Sequence, residues 1–193
     1  MSTTIAPASR TIEGQELPPA GTYDLDVSHS HVGFTVRHLV VARTRGRFGE
    51  FSGSVVIGDD PLDSSVEVEI DLASVDTRDD QRDSHLRSAD FFDVEQYPTM
   101  SYRSTAVAPG PNGRWTVDGE LTIHGVTRPV ALDVRFEGGI VDPWGNVRAA
   151  FSAGTEIDRK AFGLTYNQVL EGGGVLVGKK VSIEVEAEAV QRP

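Results

Sequence analysis

The sequence predicts an all-β protein whose antiparallel sheet closes into a barrel and carries one short helix. Three observations point there. Hydrophobic residues recur with period two through most of the chain, Gly- and Pro-rich turn signals separate those runs, and a single stretch is spaced helically. Val32, Phe34 and Val36 open the series, and Val66, Val68, Ile70 and Leu72 alternate with Glu67, Glu69 and Asp71. Trp115, Val117, Leu121 and Ile123 alternate with Thr116, Asp118, Glu120 and Thr122. The pattern returns at Val130-Leu132-Val134-Phe136, Val147-Ala149-Phe151-Ala153 and Val181-Ile183-Val185-Ala187. Each run is a strand with one buried and one wet face. Turns are marked at Gly58-Asp59-Asp60-Pro61, Pro109-Gly110-Pro111-Asn112-Gly113, His124-Gly125, Gly138-Gly139, Asp142-Pro143-Trp144-Gly145-Asn146 and Gly172-Gly173-Gly174. Seven to nine strands result.

A sandwich and a barrel both satisfy this pattern, and the inward set separates them. Phe34, Phe48, Phe51, Phe136, Phe151 and Trp115 are mixed with Gly53, Gly119, Ala149, Ala153 and Ala187. A filled sandwich core favours Leu, Ile and Val throughout, whereas a barrel with a ligand-sized interior accommodates small residues and also removes exposed strand edges. The helix is expected over about 79–92, capped by Asp79 or Asp80, with Leu86, Ala89 and Phe92 as its apolar stripe. Pro98 disfavours helix at Tyr97, and Met100 to Thr105 resumes the strand pattern.

Composition excludes several function classes. The 193 residues, 38% of them hydrophobic, can bury one sizeable core. A net charge of −11, from 29 acidic and 18 basic residues, repels phosphodiester backbones, so no nucleic-acid partner is expected. With no cysteine there can be no disulfide, thiolate nucleophile or Cys-ligated metal. Residues 1–20 read as a flexible polar arm without the basic and apolar regions of a secretory signal, and residues 21–190 as one domain. No run approaches the ~18–20 apolar residues of a membrane span. A soluble, cytoplasmic chain is expected, although a secreted chain whose leader had been removed would read the same.

Several segments together resemble the YceI family. They are Ser74-Val75-Asp76-Thr77, Arg82 to Asp93, Tyr97-Pro98, Gly119 to Val130, His38-Leu39 with Gly49-x-Phe51-x-Gly53, Asp142-Pro143-Trp144-Gly145, and Arg159-x-x-Phe162-Gly163. The resemblance spans roughly residues 21–190 in the family's order. It implies an extended eight-stranded, lipocalin-like antiparallel barrel whose tunnel holds a long-chain lipid such as a polyisoprenoid, an isoprenoid quinone or a fatty acid or amide. It also implies a homodimer; no cofactor or catalytic residue is expected.

The residues support such a ligand independently. A tunnel of aliphatic and aromatic side chains gains ~0.8 kcal/mol per methylene removed from water, before ordering costs. The expected wall residues are Phe34, Val36, His38, Phe48, Phe51, Val55, Val68, Ile70, Leu86, Phe92, Met100, Tyr102, Leu121, Leu132, Val134, Phe151 and Phe162. His38, Asp76, Arg82, Asp83, His85 and Asn167 could gather at one end to meet a polar head, or could only staple the helix to the strands. Two other classes stay open. His29-x-His31 would set two imidazoles on one strand face for a metal, and an enzyme could act on a tunnel-bound lipid. No Gly-x-Ser-x-Gly elbow is present, and Gly172-Gly173-Gly174 lacks the Lys-Ser/Thr of a phosphate loop.

Overall fold

The computed structural model describes residues 6–12, 14–39, 42–168 and 176–193; the Gly172-Gly173-Gly174 turn lies outside them. In chain order the strands are β1 (Ala6–Pro7), β2 (Arg10–Ile12), β3 (Gln15–Leu17), β4 (Gly21–Leu25), β5 (His31–His38), β6 (Ala42–Phe48), β7 (Phe51–Ile57), β8 (Ser65–Asp71) and β9 (Val75–Asp76). Helix α1 (Asp80–Arg87) follows, then β10 (Thr99–Pro109), β11 (Arg114–Ile123), β12 (Val126–Val141), β13 (Val147–Asp158) and β14 (Val177–Gln191).

These pieces make eight wall strands in simple up-and-down order. β4 and β5 both pair with β14 and form one strand interrupted by a 3-10 turn at Val27–His29. β6 and β7 form the next, since β6 pairs with β5 and β7 with β4. β8 and β9 form the third, pairing with β7 and β6 respectively around a 3-10 turn at Leu72–Ser74. β10 to β14 complete the meander, and the antiparallel pairing of β14 with β4 and β5 closes the barrel. The three interruptions are adjacent, and backbone bonds join the second and third: Asp71 N–H donates to Glu50 O (2.9 Å) and Gly49 N–H to Ser74 O (3.2 Å). Asp26 and Asp71 start the two 3-10 turns by accepting from the amides of Ser28 (3.1 Å) and Ala73 (2.7 Å).

Bulges in β10, between Ser104 and Ala106, and in β12, between Phe136 and Gly138, shift the register and reset which side chains face inward. Inward side chains form one cluster that runs through the barrel. A second cluster, built on Tyr23, Ile57, Ala149 and Ala189, lies towards the end bearing the chain termini.

Two regions differ from the sequence expectation. The helix is two turns long and stops at Ser88, whose hydroxyl donates to His85 O (2.7 Å). Residues 88–98 continue as turns, tied by Phe92 N–H to Leu86 O (3.0 Å) and Tyr97 N–H to Asp93 O (2.8 Å). Phe92 therefore reaches the core from a turn, where it packs edge-on against Phe48 at 5.9 Å. The expected flexible arm is the other difference: its described residues fold onto the barrel. β1 pairs with β12, β2 pairs with β3, and Leu17 and Pro18 are buried. Their apolar surface and the unpaired edge of β12 supply the reason.

Candidate functional site

The interior holds a cavity of about 300 Å³, at the lower edge of the range for ligand pockets. Val36, Leu86 and Val177 line it near the helix, and Leu17, Ile57, Phe136 and Ala187 near the termini, so it follows most of the barrel. β14 alone contributes wall residues from Val177 to Ala187, roughly 33 Å along the strand.

The period-two pattern places the wall. Val68 and Leu121 stand on either side of Tyr102 in register. Gly119 lies beneath the Tyr102 ring, where any Cβ would collide with it, and Gly46 does the same for Phe34. These two glycines thus make room for rings. The Tyr102 hydroxyl lies 2.9 Å from Val117 O and 3.2 Å from Val130 O, fastening it to the wall. Burial, assisted by Asp118, pushes its pKa up to about 12. A neutral phenol already committed to carbonyls is a poor acid or base at neutral pH.

Among the residues expected in the wall, Phe34, Val36, Phe48, Phe51, Val55, Val68, Ile70, Leu86, Phe92, Met100, Tyr102, Leu121, Leu132, Val134 and Phe151 all line the cavity. His38 and Phe162 do not. His38 shares the inward parity of β5 but sits at the strand end, opposite Ala42 and Val177. Phe162, only 2% exposed, packs into the core from the 3-10 turn Arg159–Phe162.

Other wall residues were absent from the expected set. Val117, Ile123, Val181, Ile183, Val185 and Ala187 line the cavity and are legible from the same alternation. Leu17 carries no sequence signal, and the motif that contains Arg159 does not show it in the wall, because both places depend on tertiary packing. Arg159 is 4% exposed and donates to three carbonyls, Gly178 (2.8 Å), Leu164 (2.5 Å) and Val177 (3.3 Å). Burial lowers its pKa, against the opposing charge of Asp158. It fastens the turn after β13 to β14.

The polar residues expected at one end divide into local staples. Asp83 Oδ1 accepts from the Thr77 amide (2.9 Å) and hydroxyl, while Arg82 donates to Thr77 Oγ1 (2.7 Å) and Thr77 O (2.8 Å). Asp76 pairs with Arg47 (3.0 Å), and Asn167 bonds both backbone groups of Val177. His85 lies 2.9 Å from Asp90 and stacks edge-on against Tyr166 and Phe91, and Phe91 lines the cavity.

The histidine pair does not assemble. His29 ends the 3-10 turn beside Asp26 (3.0 Å), while His31 starts β5 and lies over Gly33. Asp26, His29 and Glu188 do converge, with ligand atoms within 4.8 Å of one another. Arg148 already supplies their cation: it donates to Asp26 (2.9 Å), Glu188 (2.6 Å) and Asp142 (2.9 Å).

Comparison with known proteins agrees with this geometry. The profile of the YceI-like domain matches residues 23–189. The chain belongs to the YceI-like domain family. A UPF0312 protein of Vibrio cholerae serotype O1 is 37% identical over 178 residues, covering 90% of this chain and 89% of the relative. One from Photorhabdus laumondii is 39% identical over 146 residues, 74% of this chain and 76% of the relative. Among solved structures, Burkholderia cenocepacia BcnA superposes with a TM-score of 0.75 at 25% identity, covering 85% of this chain and 98% of BcnA. A polyisoprenoid binding domain from Saccharophagus degradans shares the fold, with a TM-score of 0.64 at 17% identity over 90% of this chain and all of that one. No helix among the described residues is long and apolar enough to cross a membrane.

Proposed function

We propose that this YceI-like barrel binds a long-chain apolar lipid in its cavity without chemically changing it, for transport, storage or sequestration. The observation that carries the reading is the continuous hydrocarbon wall from Val36 and Leu86 to Ile57 and Ala187. Polyisoprenoids, isoprenoid quinones and fatty acids or amides all offer the extended apolar chain that such a wall accepts. The fold shared with a domain described as polyisoprenoid binding makes a prenyl chain one candidate to test. Binding without chemistry is supported by the wall itself, whose phenol at Tyr102 is occupied by backbone carbonyls.

Organic extraction of freshly purified protein followed by mass spectrometry tests the reading. A stoichiometric long-chain species is expected; a protein that emerges empty and takes up no added lipid would refute it. Val68→Trp and Leu121→Trp place an indole beside Tyr102 and displace at least two methylenes of ligand. At ~0.8 kcal/mol each, the affinity for added lipid should fall by more than about tenfold. Unchanged affinity in both folded variants would place the ligand elsewhere.

A further inference from the structure

Around the barrel, β12, β11, β10, β8 and β7 are consecutive neighbours, but they are not equally tall. β11 begins at Arg114, opposite Arg135, whereas β12 runs on to Val141. That overhang leaves one edge of β12 without β11. β1 takes the edge, with Ala6 opposite Val141 and Pro7 opposite Ile140, and Ala8 N–H donates to Gly139 O (2.9 Å). Gly139 has no alternative residue at low cost, because the Ala8 carbonyl fills the space of a Cβ.

On the far side, Arg10 holds the β2–β3 hairpin to the turn between β7 and β8. Its guanidinium donates to the carbonyls of Gly58, Asp59 and Pro18. The segment is thus anchored on β12 and on the β7–β8 turn, on opposite sides of the barrel end that bears the termini. Leu17, 6% exposed, is the hairpin residue that lines the cavity.

We propose that the N-terminal hairpin is the end stop of the tunnel, and that Leu17 sets the longest chain the barrel accepts. The assignment rests on the lipid-binding reading above and adds to it the residue that determines length. A chain lying along the wall meets the isobutyl group of Leu17 at the hairpin end, and further carbons cannot be buried there without displacing the hairpin.

The test loads the delipidated full chain with saturated fatty acids from lauric to lignoceric acid and reads occupancy by native mass spectrometry. For the unaltered protein, affinity should climb with length and then level off. Leu17→Ala should move that limit to longer acids by about two to three carbons, the depth of side chain removed. Leu17→Phe should move it to shorter ones, and it keeps the test decisive if the alanine variant folds poorly. A limit that stays fixed in the folded variants, while the unaltered protein still binds, overturns the end stop alone. Failure of the unaltered protein to take up any of the acids, or polyprenols of comparable length, overturns the lipid-binding reading and this assignment with it.

Discussion

Asp83 is the buried residue of α1, and one of its carboxylate oxygens takes two donors from Thr77. Asp83→Ala leaves a buried amide and hydroxyl unpaired, at about 1–3 kcal/mol for each donor stranded. Asp83→Asn keeps an acceptor in place and should cost much less. Urea denaturation of the two variants distinguishes them, and equal midpoints would mean the staple contributes nothing. Arg82→Ala should likewise lower stability while leaving the bound-lipid profile unchanged, because its donors go to Thr77 and not to the cavity. A changed profile would make Arg82 a contact of the lipid head.

At the scale of elements, what was legible followed from periodicity. The alternations in β8, β11, β12, β13 and β14 could be read because one face of each is buried, and a slip of one residue would invert every side chain. Most of the wall followed from that parity. The helix end was not legible: Leu86, Ala89 and Phe92 keep helical spacing, but the backbone leaves the helix at Ser88 and delivers Phe92 through turns. The arm failed for a related reason. Its β-strands are two or three residues long, too short to show a period, and its order comes from an edge of β12 that exists only once the barrel has formed. Arg159 belongs to the Arg159-x-x-Phe162-Gly163 motif, but its burial against three carbonyls depends on where the turn after β13 meets β14.

For the whole molecule, the ion-pair network on Arg148 joins the β12–β13 turn to β14 and to the break between β4 and β5. The Ser28 hydroxyl, then His29 and Arg148, hold Asp26 well below the ordinary carboxylate range. Asp142, although desolvated, is held low by Arg148 and Asn146. Depressed folded-state values contribute stability above the unfolded pKa, and that stability is lost as pH falls through the folded values. The urea midpoint should therefore drop below pH ~4. Arg148→Met should lower the neutral plateau and make the acid limb shallower, and an identical limb would remove the network from the account. Because the wall offers carbon and almost no donor or acceptor, a chain inside it has no fixed register and can slide by one methylene at a time. On the lipid-binding reading the barrel would measure girth and length and be indifferent to where a double bond falls. The cargo that reading predicts is a ladder of homologues mirroring local supply, and the same chain expressed in two hosts should carry two different ladders.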